Sequence, residues 1–380
     1  MSTQGSWQRD VFADLGGVPD PAAPEAGPEP EPGPEAAVPA QFGAERPAAR
    51  RDSGRRTAHR PDTAPDSVPV GAPDLDDALG RVRRGDPPLR RVLRAVRALG
   101  ASAAQDGASR AETARAIQQP VTTGRQIAVG SIRGGAGKST VAALLALTFA
   151  HYRADPVLAV EADGVLGTLP VRLGAREVRW SCTEIADVID ASTPLASVTG
   201  YLVPFPGGWL LPGSRGTVTR NRLDPKAYYM AMASLRRHFG VTVVDCETLP
   251  TDVARYALSA TQARVLTAPA TVEGVAGTRL ILDWLDTLDP AMLPTTVVAL
   301  VHTSPDMAVD IGKAARHLEV RGATVIPVPY DRSLAAGGPI RTARLARATR
   351  DAAARLAAAT MDRAVAHGRG DAVERSEASA

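Results

Sequence analysis

The sequence is poor in cysteine and lacks any long apolar run. Cys182 and Cys246 are far apart and have no ligand-like spacing, which excludes a disulfide framework, argues against a metal cluster and fits a reducing compartment. No stretch of about 18 apolar residues occurs, so no membrane span is predicted. Residues 1–20 lack a basic start followed by an apolar run, which argues against a secretory signal. We therefore expect a cytoplasmic location.

Charge is nearly balanced along the chain. The 380 residues contain 44 Lys and Arg against 41 Asp and Glu, a net charge of +3, so nucleic-acid binding is not implied by the total. The length allows one domain of roughly 250 residues plus appendages.

Composition divides the chain into four parts. Residues 1–73 are rich in Pro, Ala, Glu and Arg, and are predicted to form a disordered arm. Residues 74–120 predict a basic helical hairpin or linker, because apolar residues recur at steps of three and four in 75–99. This segment either packs against the following domain or docks on acidic lipid or a partner. Residues 121–366 predict the main folded domain, and residues 367–380 predict a disordered tail.

Short β-branched runs alternate with helical patterns from residue 126 onward, which predicts a doubly wound α/β fold with a mostly parallel sheet. The candidate strands are 127–130, 157–160, 201–203, 209–211, 241–245, 264–267, 296–301 and 324–328. The main candidate helices are 138–151, 224–239, 273–286, 309–320 and 340–366.

A glycine-rich turn follows the first of these strands and precedes the first helix. Its glycines allow backbone N–H groups to surround a phosphate, and this nest adds to the positive end of the helix dipole. Lys138 is predicted to reach the β and γ phosphates and the Ser139 hydroxyl to bind Mg²⁺. Ile132 stands where the generic pattern has glycine. The predicted nucleotide-binding residues are Gly134, Gly135, Ala136, Gly137, Lys138, Ser139 and Thr140.

This turn resembles the deviant Walker A loop of MinD/ParA ATPases, KGGxGK[ST][ST], with Arg133 at the position of the signature lysine. The resemblance implies ATP with Mg²⁺ as cofactor, slow ATP hydrolysis and a dimer that sandwiches ATP. In that family the signature lysine crosses to the partner's nucleotide, and an arginine keeps the charge needed to bridge phosphate oxygens. Lys138 and Arg133 are therefore candidate catalytic residues.

Two segments that contain acidic residues extend the resemblance. The segment 161–169 is similar to the family's switch I, which implies that Asp163 positions the attacking water and that Glu161 replaces the first acid. The run 241–245 has the Walker B form and ends in Asp245, whose alternative role is to cap a helix. The predicted Mg²⁺ ligands are Ser139, Asp163 and Asp245. The next residues, 246–250, depart from the family's switch II.

Two later segments resemble the parts of the family that contact adenine. His302 stands where the family has an asparagine, and residues 328–331 are similar to its IPxD segment, which makes Pro329 and Asp331 candidate base contacts. The chain is also similar to the EspI-like ATPases encoded with actinobacterial type VII (ESX) secretion systems. That similarity is carried by residues 125–129 with the following loop, 154–163 and 329–337, and by the Pro-rich N-terminal region.

Three functions remain open from the sequence. The first is a dimerising switch ATPase associated with type VII secretion, with recruitment to the inner face of the membrane by a partner as a further expectation. The second is a ParA-like ATPase that binds DNA nonspecifically through the arginines of the last helix. The third is a regulatory scaffold that senses ATP without hydrolysing it. The last helix predicts core packing over a membrane anchor, because its stripe is mostly alanine.

Overall fold

The computed structural model describes residues 64–70, 103–165, 167–215, 223–306 and 309–377. The greater part of the predicted arm and the amphipathic segment 75–99 lie outside these residues. The strands are β1 Val68–Pro69, β2 Arg125–Gly130, β3 Val157–Glu161, β4 Glu177–Val178, β5 Val203–Phe205, β6 Gly208–Leu211, β7 Val241–Asp245, β8 Ala263–Pro269, β9 Thr296–Val301 and β10 Thr324–Val328.

Eight of these strands form one sheet in the order β10-β9-β8-β2-β7-β3-β6-β5. All neighbours are parallel except β5 and β6, which form an antiparallel edge. Every residue of β3 and β7 is buried, which explains their continuous apolar sequences. The predicted parallel α/β sheet is confirmed.

Helices cover both faces of the sheet. They are α1 Ala103–Ile117, α2 Lys138–Tyr152, α3 Leu169–Leu173, α4 Cys182–Val188, α5 Leu195–Thr199, α6 Pro225–Leu235, α7 Asp252–Ala260, α8 Val272–Leu288, α9 Ile311–Leu318, α10 Arg332–Ala335 and α11 Arg347–Glu377. One apolar core lies beneath α4, α6, α7, α8 and α9, and a second lies beneath α1, α2, α3 and α11. Two separate cores on opposite faces are the mark of a doubly wound fold.

Helix α11 packs into the second core. Its residues Leu356, Met361 and Val365 are buried, and the helix contacts β8, β9, β10, α1 and α2. The prediction of core packing is confirmed. None of the described helices is both long and apolar enough to cross a bilayer.

Several predicted boundaries differ from the structure. Residues 64–70, which we assigned to the disordered arm, contain β1, because Val68 pairs with the buried Val178 of β4. The strand predicted at 201–203 begins only at Val203, after a turn that closes α5. Helix α11 begins at Arg347 and continues to Glu377, so the tail predicted to be disordered is helical over residues 367–377. This stretch contains no proline to end the helix.

Candidate nucleotide-binding site

The adjacent strands β2, β7 and β3 end together in the middle of the sheet. The parallel register aligns Asp245 of β7 with Val129 of β2 and with Glu161 of β3. Backbone hydrogen bonds continue this alignment beyond the strands, from Ala162 N to Asp245 O at 2.8 Å and from Cys246 N to Val129 O at 2.9 Å. The carboxyl ends of parallel strands are where open α/β sheets bind ligands.

The glycine-rich turn forms an open concave loop at the end of β2. Gly135 and Gly137 have φ values of 75° and 88°, which favour glycine, and a Cβ atom built on Gly135 would meet nothing within 4 Å. Ser131 Oγ folds the start of the loop by bonding both N and O of Arg133 at 3.0 Å. Gly137 is the N-cap of α2 and supplies no side-chain cap, so the first amides of α2 are available to an anion.

Lys138 is buried at the start of α2 and contacts a residue that the sequence did not single out. Its Nζ donates a hydrogen bond to Thr248 Oγ1 at 2.8 Å. The segment that carries Thr248 is also tied to the glycine loop, because Leu249 N donates to Ser131 O at 2.9 Å. Thr248 lies within residues 246–250, which depart from the family's switch II. The family pattern therefore did not indicate Thr248 as a site residue.

Asp245 is fully buried and its two carboxylate oxygens have no hydrogen bond of normal geometry within the described part of the chain. Desolvation raises the pKa of Asp245 to about 7, while the nearby Ser139 hydroxyl and the Lys138 charge lower it and Asp163 raises it. Buried carboxylate oxygens without partners are costly, and a cation would compensate them. Asp245 and Ser139 therefore fit Mg²⁺, which commonly takes one or two protein carboxylates together with phosphate oxygens. Ser139 and Asp245, two of the predicted Mg²⁺ ligands, lie beside each other in the structure.

Glu161 links the loop after β3 to the loop after β6 through hydrogen bonds. Its Oε1 accepts a hydrogen bond from Leu169 N at 3.2 Å and its Oε2 accepts one from Gly213 N at 3.1 Å. Desolvation raises the pKa of Glu161 to about 8, and the carboxylates of Asp245 and Asp163 add to the rise while the two backbone amides oppose it. A Cβ on Gly167 would lie 2.2 Å from Glu161 Oε1, so glycine is required there. The resemblance of residues 161–169 to switch I indicated Glu161 but not its two backbone partners.

Asp163 lies two residues beyond β3 on the loop that Glu161 holds. It is half-buried, and its Oδ1 accepts a hydrogen bond from Val165 N at 3.2 Å. Its charge raises the pKa of Asp245, which places the two carboxylates within electrostatic range of each other. The structure therefore brings Asp163, Asp245 and Lys138 into one neighbourhood.

Arg133 is exposed on the outer side of the loop. A Cβ atom built on Gly277 would lie 3.9 Å from Arg133 Nε and 3.4 Å from Ile132 Cγ2, so both side chains lie beside α8. The guanidinium group of Arg133 is thus accessible from outside the molecule, which the predicted role in a partner's site requires.

The predicted adenine-binding residues lie at the ends of β9 and β10. His302 N donates to Val328 O at 3.0 Å, and a Cβ on Gly137 would lie 3.7 Å from Val301 Cγ1, so this edge adjoins the glycine loop. Burial lowers the pKa of His302, and its buried Nε2 has no hydrogen-bond partner within the described ranges. A neutral imidazole with a free ring nitrogen suits a base contact. Pro329 directly follows β10 and is half-buried.

Asp331 has a structural position that differs from the prediction. The residue is almost fully buried. Its Oδ1 accepts a hydrogen bond from Ser333 N and its Oδ2 accepts one from Ala346 N, both at 2.8 Å. The carboxylate therefore caps α10 and holds the segment before α11. We correct the predicted direct base contact of Asp331 to a role in positioning this loop, because both oxygens are occupied by backbone amides.

Comparison with known proteins gives one curated relative and several similar folds. No family model matches the chain. The ESX-1 secretion-associated protein EspI of Mycobacterium tuberculosis is 30% identical over 231 residues, which cover 57% of this chain and 33% of that protein. The chain thus spans about a third of the length of its curated relative.

Three solved structures resemble the chain. The cell division ATPase MinD of Pyrococcus furiosus has 21% identity and a TM-score of 0.49, covering 62% of this chain and 98% of that one. A ParA family ATPase from Chlorobium tepidum has 14% identity and a TM-score of 0.48, covering 57% and 90%. The septum site-determining protein MinD complexed with Mg-ADP from Pyrococcus horikoshii has 19% identity and a TM-score of 0.47, covering 63% and 94%.

Proposed function

We propose that this protein is an ATP-dependent switch that binds ATP with Mg²⁺, hydrolyses it slowly as a dimer and works with a type VII secretion system. The observation that carries the proposal is the pairing of an open glycine loop with a buried Asp245 whose two oxygens lack a hydrogen-bond partner among the described residues. A buried carboxylate without partners costs free energy in the empty fold, and a triphosphate with a divalent cation would satisfy both the carboxylate and the loop.

Each residue of the site has a separate task in nucleotide binding. The backbone amides of residues 134–140 would hold the phosphates, aided by the N-terminal end of α2. Lys138 would turn from Thr248 to the β and γ phosphates, and Ser139 and Asp245 would hold the Mg²⁺, which neutralises charge on the phosphate oxygens.

Hydrolysis would depend on Asp163, which lies on the loop tied by Glu161 and would orient the attacking water. The site offers positioning and charge without a nucleophilic side chain that forms a covalent intermediate, so slow turnover is expected.

Dimerisation is proposed from the position of Arg133. The side chain is exposed beside α8, and a guanidinium group that reaches a partner's phosphates would stabilise the charge of the transition state. The secretion association is proposed from the similarity to EspI, whose name describes it as ESX-1 secretion-associated.

The DNA-binding alternative has less support. Several arginines of the last helix are engaged with the chain itself: Arg350 donates to Leu345 O at 2.6 Å, Arg363 donates to Thr324 Oγ1, and Arg347 forms an ion pair with Asp351 at 3.6 Å. Side chains held in this way are poorly placed to contact a phosphate backbone. We therefore do not propose DNA binding.

The test combines calorimetry, phosphate release and light scattering. Wild-type protein is expected to bind ATP, to release phosphate and to form dimers with ATP but not with ADP, and Lys138→Ala should lose ATP binding and phosphate release. The exposed Lys313 on α9 provides a control, Lys313→Ala, that should behave as the wild type. Arg133→Ala should keep ATP binding and lose dimer-dependent turnover. Wild-type phosphate release equal to that of Lys138→Ala would refute the enzymatic part, and ATP binding with no turnover would favour the ATP-sensing scaffold.

A further inference from the structure

Helix α6 exposes a face of unusual composition. Two large apolar side chains lie on it, Tyr229 with 43% and Met230 with 46% of their surface exposed. The exposed residues recur at steps of three and four, so they share one side of the helix and its C-terminal end. We call this face the α6 surface; its members are Lys226, Tyr229, Met230, Ala233, Arg236 and Arg237.

The apolar centre of the α6 surface rests on a rigid aromatic base. Tyr229 makes an edge-to-face contact with Tyr256 of α7, with ring centroids 5.9 Å apart. Tyr256 makes the same kind of contact with the buried Tyr228 at 6.0 Å. Tyr229 is therefore held in place before any partner arrives, which reduces the entropy lost on binding.

The apolar centre is surrounded mainly by positive charge. Lys226 precedes it, Arg236 and Arg237 follow it, and Arg255 is exposed on the neighbouring helix α7. Arg237 also donates to Thr193 O at 3.0 Å, which fixes its position. The carboxylates near this centre include Asp224, which caps α6 by accepting from Ala227 N, Asp252 at the start of α7, and Asp190, which accepts from the Thr193 hydroxyl. The four cations named above outnumber these three carboxylates of the described residues.

We infer that the α6 surface, together with Arg255, docks an acidic amphipathic helix of a partner protein. Tyr, Met and Arg are the residues enriched at protein interfaces, whereas Lys and acidic residues are depleted there. The 11 residues of α6 extend over about 16 Å, which matches three turns of a bound helix. Glu or Asp beside an apolar stripe on that helix would meet the cations, while the stripe covers Tyr229 and Met230.

The test measures fluorescence anisotropy of a labelled probe with the full chain. The probe is a synthetic 18-residue helical peptide with a leucine stripe flanked by glutamates, compared with the same peptide carrying lysines and with a 20-base-pair DNA duplex. The double variant Tyr229→Ala/Met230→Ala is expected to weaken binding of the glutamate peptide at least tenfold. The control is Leu288→Ala on α8, since Leu288 has the same exposed fraction as Met230, 46%, and should change binding less than twofold.

Charge is tested by a second pair of variants. Arg255→Glu should weaken binding of the glutamate peptide at least threefold, and Arg355→Glu, an exposed arginine on α11, should not. Raising the salt concentration should weaken binding further. Circular dichroism of each variant shows whether the fold is kept. Tyr229→Phe retains the aromatic ring and should retain binding. Equal affinity for the lysine peptide, no binding of the glutamate peptide at millimolar concentration, or DNA as the only probe sensitive to these variants would overturn the inference.

Discussion

Replacing Glu161 with glutamine tests whether one buried carboxyl group controls the pH dependence of stability in the nucleotide-free protein. The folded-state pKa of Glu161 is about 8 against a reference value of 4.5, so the folded chain binds this proton more tightly than the unfolded chain. The free energy of unfolding must then fall as pH rises from about 4.5 to about 8. Glutamine cannot ionise, so the variant lacks this contribution.

The magnitude follows from the size of the pKa shift. One pKa unit corresponds to about 1.4 kcal/mol, so the shift from 4.5 to about 8 gives a decrease on the order of 5 kcal/mol across this interval, as an upper limit. The Glu161 carboxyl oxygens accept hydrogen bonds from Leu169 N and Gly213 N. The glutamine NH₂ group cannot accept a hydrogen bond, so one of these two backbone donors would lose its partner, at a cost of about 1 kcal/mol. The variant should therefore be less stable than the wild type at pH 5 and more stable at pH 8.5.

The assay is urea unfolding followed by circular dichroism at pH 5, 6, 7, 8 and 8.5 without nucleotide. The exposed Glu319 beside α9 provides the control Glu319→Gln, whose curve should run parallel to that of the wild type. Asp245 keeps a smaller slope of the same sign in every variant, because burial raises its pKa to about 7. Two stability curves of equal slope for wild type and Glu161→Gln would refute the reasoning, as would wild-type stability that increases from pH 5 to pH 8.

Three further substitutions test other contacts of the site. Gly167→Ala places a Cβ atom 2.2 Å from Glu161 Oε1 and should lower the free energy of unfolding by about 1–3 kcal/mol, measured by urea unfolding at pH 7. Asp331→Asn puts an NH₂ group against a backbone donor such as Ala346 N and should destabilise by about 1–3 kcal/mol; ATP affinity that falls without any loss of stability would instead indicate a base contact. Asp245→Asn should stabilise the nucleotide-free protein at pH 8 and abolish Mg²⁺-dependent ATP affinity in calorimetry, and unchanged Mg²⁺ dependence would contradict the assignment.

The fold was largely predictable where local pattern is strong. Strand β7 has the predicted bounds because its β-branched residues are buried on both faces, and the same holds for β9 and β10. The glycine loop was predictable for a related reason, since the residues that hold a phosphate there are adjacent in the chain. Boundaries without such a pattern were misplaced, by two residues at the start of β5 and by eleven at the end of α11.

The amino-acid sequence alone determined the alternation of strands and helices, the glycine loop and the identity of its charged residues, because these depend on near neighbours. Only the tertiary structure decided that Lys138 bonds Thr248, that Glu161 joins two loops and that both oxygens of Asp331 accept from backbone amides. All but one of these contacts, the bond from Ser333 N to Asp331, link residues 8 to 110 positions apart. A side chain's partner at such separation depends on how the strands align in the sheet, and that alignment is a property of the packed core.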